Sequence, residues 1–171
     1  MSEDQDRQGP RWLDQEQAKA WIELAGVMVG LPSALDAQLQ RDAGISHVEY
    51  QVLSWLSMSP ERTARMSQIA EMAHVRLSHL SRIAARLEGR GWLRRRPDPE
   101  DGRATLAVLT DDGWDKVVAT APGHVEEVRR LVFDNLSAAQ VRQLQQIGHR
   151  VMEAVQPGRC PRLPPGATGG D

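Results

Sequence analysis

Arginine is the residue whose placement in this chain points most directly to chemistry. Between positions 76 and 96 stand Arg76, Arg82, Arg86, Arg90, Arg94, Arg95 and Arg96, opposed only by Glu88, a local charge of +6. The whole chain carries 21 Lys and Arg against 23 Asp and Glu, so this run is a basic patch on a slightly acidic protein. Guanidinium groups gathered in one segment suit a polyanion, because each can clamp a phosphate or donate two hydrogen bonds to a guanine edge. A further arginine closes the run Asp98-Pro99-Glu100-Asp101-Gly102-Arg103, whose Pro, Asp and Gly are turn formers. At a hairpin tip Arg103 can enter a minor groove, and Asp101 stands close enough in sequence to orient its guanidinium.

These side chains need elements to position them. Leu80, Ile83, Ala84 and Leu87 fall on one face of a helix, which turns Ser78, Arg82 and Ala85 to the other with His79, Ser81 and Arg86 beside them. That outer face is short, polar and basic, as a helix entering a major groove requires. A shorter helix capped by Ser67 and running to Ala73 precedes it, and His74, Val75 and Arg76 form the turn of a helix-turn-helix. Gly91 is placed to stop the second helix in a left-handed cap. Trp92 to Arg96 and Ala104 to Leu109 then read as a β-hairpin, with Ala104, Leu106 and Val108 on one side of its second strand. Arg94, Arg95 and Arg96 on the first strand are placed to meet sugar-phosphate backbone.

Longer helices flank this unit. The first opens at Asp14 with Gln17 as capping partner and carries Trp21, Leu24, Met28, Leu31, Leu35 and Leu39, with a kink expected at Pro32. The second opens on Ser46-x-x-Glu49, with Ile45 and Tyr50 as a hydrophobic staple, and ends near Ser59-Pro60. After the hairpin, Thr110-Asp111-Asp112 starts a helix that Pro122-Gly123 is expected to bend or break. The last is capped by Ser137-x-x-Gln140 and carries Val141, Leu144, Ile147, Val151 and Val155.

The fold expected is mainly α with a small β-hairpin wing. A disordered arm covers residues 1–13, an N-terminal dimerisation helix 14–45, a winged helix-turn-helix 46–110, C-terminal dimerisation helices 111–156 and a disordered tail 157–171. The outer helices have apolar seams that the middle of the chain does not need. Pairing them with a second copy hides those seams and sets two recognition helices about 34 Å apart, which calls for a pseudo-palindromic site on double-stranded DNA.

Other classes find less support. No unbroken apolar run approaches the roughly 20 residues of a membrane span, and the acidic opening is the reverse of a signal peptide, so a cytoplasmic protein without membrane contact is expected. The single cysteine, Cys160, excludes an internal disulfide. The histidines at 47, 74, 79, 124 and 149 include no i, i+4 pair, so no metal or other cofactor is expected. Neither a nucleophile elbow nor a phosphate-cradling glycine loop is present, which argues against an enzyme. A winged helix that binds protein instead of DNA is the alternative, disfavoured by arginines on both helix and wing.

The stretch Met66-Ser-Gln-Ile-Ala-Glu-Met-Ala-His-Val, then Leu80-Ser81-Arg82, Arg86-Leu87-Glu88-Gly89-Arg90-Gly91-Trp92-Leu93, the Asp98 to Arg103 run and Leu109-Thr110-Asp111-Asp112-Gly113 together resemble the MarR (multiple antibiotic resistance regulator) family. The resemblance spans roughly residues 14 to 155, and the wing is its most specific part. It implies a triangular homodimer, a repressor whose wing Arg103 enters the minor groove and whose recognition helix holds Ser78 and Arg82. It also implies a small-molecule effector between the dimerisation helices and the DNA-binding lobe, with Trp21, Met28, Trp55 and Met58 nearest to it. Two positions depart from the family pattern: His74 stands where Gly is common, and Arg76 where a Ser N-cap is usual, which leaves Arg76 to touch phosphate. Peroxide-sensing relatives use a cysteine near the start of the chain and zinc-responsive ones a His, Glu and Cys cluster; a redox- or metal-responsive member is therefore the weaker version of the resemblance.

Overall fold

Helices in this chain begin where a side chain takes over backbone N–H groups that no earlier carbonyl can reach. The structure, a computed structural model, describes residues 10–158. Cys160 and most of both terminal segments expected to be disordered lie outside the described residues. Helix α1 (Gln15–Ala43) opens on a reciprocal pair: the Gln17 N–H donates to Asp14 Oδ1 at 2.8 Å and the Asp14 N–H to Gln17 Oε1 at 3.1 Å. It runs as one helix through Pro32 despite the donor that proline removes. Two compact units divide within α1, between Ala34 and Leu35.

The first unit is helical from Gln15, and Trp21, Ile22, Leu24, Val27, Met28 and Val29 on it are exposed. At 29 residues and a mean hydropathy of 1.2 in its most apolar stretch, α1 is long and apolar enough to cross a membrane by length and composition. Ala and Gly dilute this stretch and Glu23 and Pro32 interrupt it, so no continuous run announces it.

In the second unit, α2 (His47–Met58) starts as its capping box requires: Ser46 Oγ accepts from the Glu49 N–H at 3.2 Å, and Glu49 Oε2 accepts from the Ser46 N–H at 2.9 Å. Ile45 and Tyr50 pack together with Leu39 as the staple demands. Helices α3 (Met66–Met72) and α4 (Leu77–Gly89) are joined by a turn in which His74 takes a φ of 52°, the left-handed conformation that a glycine would adopt freely. Ser67 does not cap α3. The helix starts two residues earlier than that cap implies, with Arg65 at the N-cap and its N–H donating to Gln68 Oε1 at 3.1 Å.

The main core joins Leu53 and Leu56 of α2, Ile69 of α3, and Leu80, Ile83 and Leu87 of α4 to one face of a sheet. That sheet has three antiparallel strands in the order β1-β3-β2: β1 (Thr63–Arg65), β2 (Leu93–Pro97) and β3 (Thr105–Leu109). The hairpin β2–β3 is the expected one; β1 was not anticipated. Its three residues pair with Val108, Ala107 and Leu106, a non-local register that no local pattern reveals. Ala107 and Leu109 face the core, whereas Leu106 and Val108 line the outer face and are only half-buried.

Gly91 stops α4 at a φ of 77°. Thr110 Oγ1 accepts from the Gly113 N–H at 3.0 Å to open α5 (Asp111–Leu131). The expected break at Pro122-Gly123 does not occur. Val118, whose carbonyl loses its partner to Pro122, is exposed, so water can take that bond. Helix α6 (Ala138–Val155) is capped by Ser137 and Gln140, and Leu144, Ile147, Val151 and Val155 on it are exposed.

Where the C-terminal part of α1, the start of α2 and the middle of α5 meet, the His47 and His124 rings lie 5.9 Å apart and Tyr50 packs 4.6 Å from His124. His47 Nδ1 is buried without a partner among the described residues, and Gln38 Oε1 lies 3.4 Å from His124 Nδ1. Burial lowers the pKa of both imidazoles, the nearby Asp36 offsetting this in part for His47. A folded-state pKa below the ordinary value of 6.5 means that the unfolded chain takes up protons first on acidification. The stabilisation is therefore full above that value and is lost as pH falls through the lowered one. Urea unfolding should show a lower midpoint at pH 5.5 than at pH 7.5, above the range where carboxylates titrate, and a double His47→Gln, His124→Gln variant should flatten that difference.

Gly113 marks a close approach. A Cβ there would strike the Trp92 carbonyl oxygen and come within 2.7 Å of Leu109 Cδ1. Gly113→Ala should cost about 1–3 kcal/mol, measured as a lower thermal midpoint, with the α-helical circular dichroism of the folded state unchanged.

Candidate nucleic-acid interface

Four buried residues set the orientation of α4: Leu80, Ile83, Ala84 and Leu87 are all sealed in the core. The opposite face is then open, and Ser78, His79, Arg82, Ala85 and Arg86 are exposed on it. Ser81 is half-buried, its hydroxyl donating to the Leu77 carbonyl at 3.0 Å. Arg76 is exposed at the N-cap of α4, and the helix starts at Leu77 without a capping side chain. Neither Arg76 nor Arg82 has a side-chain partner among the described residues.

Arg86 is placed differently. Its Nε donates to Glu49 Oε1 at 2.9 Å, which ties α4 to α2. Burial of Glu49 pushes its carboxyl up, but the Ser46 N–H and the Arg86 guanidinium outweigh this and hold it below the usual carboxylate range. One buried acid thus caps α2 and anchors the helix that bears the basic face.

The wing tip is organised by Asp98. Its backbone N–H donates to the Ala104 carbonyl at 2.9 Å, closing the loop at its base, and its Oδ1 accepts from the Glu100 N–H at 2.9 Å. Its Oδ2 meets the Arg65 guanidinium at 2.8 Å. The Glu100 N–H and the Arg65 charge both lower the carboxyl's pKa. Arg65 lies on β1 directly before α3, so this pair fastens the wing to the helix-turn-helix. Asp101 Oδ1 accepts from the Arg103 backbone N–H at 3.1 Å. The link expected between these two residues therefore runs through the main chain, and the Arg103 side chain stands exposed at the tip without a partner among the described residues.

Strand alternation divides the three successive arginines of β2. Arg95 turns toward α4, where its guanidinium donates to Glu88 Oε2 at 2.6 Å and 3.0 Å and its N–H to Glu88 Oε1 at 3.0 Å. Those bonds hold the Glu88 carboxyl below its ordinary range. Arg94 and Arg96 point to the other face of the sheet. Between the wing and α4 opens a cleft of about 350 Å³, lined among others by Arg65, Ser67, Ser81, Arg95, Arg103 and Thr105.

Thus the structure leaves Ser78, His79 and Arg82 exposed on α4, brings Arg103 and the half-buried Ser81 to one cleft, and ties Arg86 and Arg95 to acids. Sequence reasoning missed Arg65 and Glu49. Arg65 announces itself only as a residue preceding α3, and the Glu49 signal was absorbed by its role as a cap. Of the residues placed near an effector, Trp21 and Met28 are exposed on α1, Met58 is exposed near the end of α2, and Trp55 is half-buried there. Among the described residues no three His, Cys, Asp or Glu side chains converge as metal ligands.

This arrangement of helices and wing is shared with known regulators. Residues 45–105 match the MarR family. The chain is 26% identical over 129 residues to YdgJ, an uncharacterised HTH-type transcriptional regulator of Bacillus subtilis (strain 168), covering 75% of this chain and 74% of that one. It superimposes on AbsC, a MarR family transcriptional regulator from Streptomyces coelicolor, with a TM-score of 0.80 and 31% identity over 85% of this chain and 98% of that one. With Sco3205, a MarR family transcriptional regulator of the same organism solved in complex with DNA, the TM-score is 0.83 and the identity 44%, over 91% of this chain and 98% of that one. On this likeness across almost the whole of two relatives, the chain belongs to the MarR family of winged-helix transcriptional regulators.

Proposed function

We propose that this protein is a bacterial, cytoplasmic repressor that binds a pseudo-palindromic operator as a homodimer and releases it when a small molecule binds. The observation that carries the reading is the pairing of an open, basic face on α4 with a partner-free Arg103 on a wing fastened by Arg65 and Asp98. Ser78, His79, Ser81 and Arg82 face the major groove, and Arg82 supplies the bidentate contact to a base. Arg103 enters the adjacent minor groove, with Asp101 shaping its loop, while Arg76 serves the phosphates at the start of α4, and Arg95, tied to Glu88, holds the first wing strand against α4. Arg86 acts mainly by holding α4 on α2 through Glu49. The DNA-bound state of Sco3205 supports the same partner for this chain. None of these roles forms or breaks a covalent bond; the protein works by binding.

Residues 14–45 and 111–156 serve as dimerisation helices around the winged helix-turn-helix of 46–110. Their support is the apolar surface that α1 and α6 leave uncovered, Ile22, Val29, Ile147 and Val155 among it. A two-fold axis through those helices matches the symmetry of a palindromic site. The effector acts on the dimerisation helices, where an indole ring such as that of Trp21 suits a planar, phenolic molecule.

Fluorescence anisotropy against the DNA upstream of the protein's own gene tests the reading. Affinity should fall steeply with salt, Arg103→Ala should weaken binding, and Arg82→Ala should also relax base preference by about 1–3 kcal/mol. Salt-insensitive binding, or wild-type affinity in both variants, would refute the interface. Light scattering should give a dimer at micromolar concentration, and an Ile147→Asp, Val151→Asp variant with an intact circular dichroism spectrum should be monomeric and bind DNA far more weakly. A monomeric wild type would remove the dimer.

A further inference from the structure

The outer face of the sheet carries charge that the central interface does not use. Three arginines around the hairpin are tethered: Arg62 to Asp111 at 3.1 Å, Arg65 to Asp98 at 2.8 Å and Arg95 to Glu88. Arg94 and Arg96 are exposed and have no partner among the described residues. They pair with Val108 and Leu106 of β3, and Thr63 of β1 pairs with the same Val108, so all five belong to the face turned away from α4. There they border a shallow hollow of about 460 Å³ lined by Glu61, Thr63, Arg94, Arg95, Arg96 and Val108.

We infer that Arg94, Arg96 and this hollow form a second DNA surface, which takes the sugar-phosphate backbone of the duplex flanking the operator. The inference rests on the DNA reading above and extends it. Recognition helix and wing tip meet the duplex on one side of the hairpin; the DNA continues outward past the other side, which is the face these two arginines occupy. Residues two apart on a strand stand roughly 7 Å apart, close to the step between successive phosphates of one strand. The floor is Val108 with Thr63, without an aromatic ring to stack a base or a donor set to read one. Such a surface adds affinity without sequence choice. Glu61 is the one acid lining the hollow and sets a limit on that affinity.

Two duplexes separate this surface from the central interface: one ending at the operator and one extended by about 10 base pairs on each side, roughly one helical turn. The wild type should bind the extended duplex several-fold more tightly. In the full chain, Arg94→Ala with Arg96→Ala should abolish that gain and stay within about two-fold of wild type on the short duplex. On extended DNA the slope of log affinity against log salt should fall by about 2 per protomer, since each lost phosphate contact removes about 0.9. Arg94→Lys with Arg96→Lys should restore the gain, because a phosphate needs only a point charge, and Glu61→Gln should enlarge it. Equal weakening on both duplexes would place these arginines in the central interface and overturn the inference, as would a wild type indifferent to length or an alanine variant that keeps the gain. Arg103→Ala should weaken both duplexes; a wild type that binds neither sinks the DNA reading itself, and with it this surface.

Discussion

A wing can act with a recognition helix only if the two are held at a fixed separation, and in this chain the constraint falls on one buried carboxylate. Asp98 is largely covered at the base of the wing loop, and its carboxylate needs donors in place of the water it gives up. It finds them in the Glu100 N–H and the Arg65 guanidinium, one within the wing loop and one on the strand that leads into α3. Remove either side and the loop keeps its turn residues but loses its tie to the helix-turn-helix. Everything at the tip, including the direction of Arg103, inherits its position from that tie.

The same device recurs twice. Glu49 holds Arg86 while capping α2, and Glu88 holds Arg95 while sitting on α4. Glu49 joins two helices that are distant in sequence, Glu88 joins α4 to the strand that follows it, and each fixes an arginine that would otherwise be free to sample solvent. Breaking such a pair where the acid is buried is expected to cost more than the pair contributes, because the remaining charge stays desolvated. The acids therefore sort the arginines: those paired set the geometry, and those left free, Arg76, Arg82, Arg94, Arg96 and Arg103, hold charge available to a polyanion. This sorting explains how a chain with a formal net charge of -2 can still present a basic surface.

Much of the architecture was legible because its determinants are local. Capping boxes at Ser46 and Ser137, the cap at Thr110, the left-handed stop at Gly91 and the inward face of α4 each depend on residues a few positions apart. What was missed depends on distant partners. Strand β1 is three residues long and exists because β3 lies beside it. Arg86 reads as a surface charge until tertiary packing brings Glu49 to it, and Pro122 reads as a break until an exposed turn lets water replace the lost bond; Arg95 meets Glu88 only seven residues away, but across the turn at Gly91. Three consecutive arginines looked equivalent as sequence, although strand alternation alone should have assigned Arg95 to one face and Arg94 and Arg96 to the other.

His74 shows how local strain and function can share a residue without being the same thing. Its left-handed φ is the one the turn between α3 and α4 demands, and a glycine there would adopt it without steric cost. Histidine tolerates that region less well, so the turn carries a small penalty that the packing of Ile69 and Ala70 against Leu80 and Ile83 must outweigh. In exchange, a polar ring stands in the turn that leads directly into Arg76 and the face of α4. The helix-turn-helix is thus set by its buried seam rather than by its turn, which is why a departure from the family pattern at this position leaves α4 starting at Leu77 with its inner face intact.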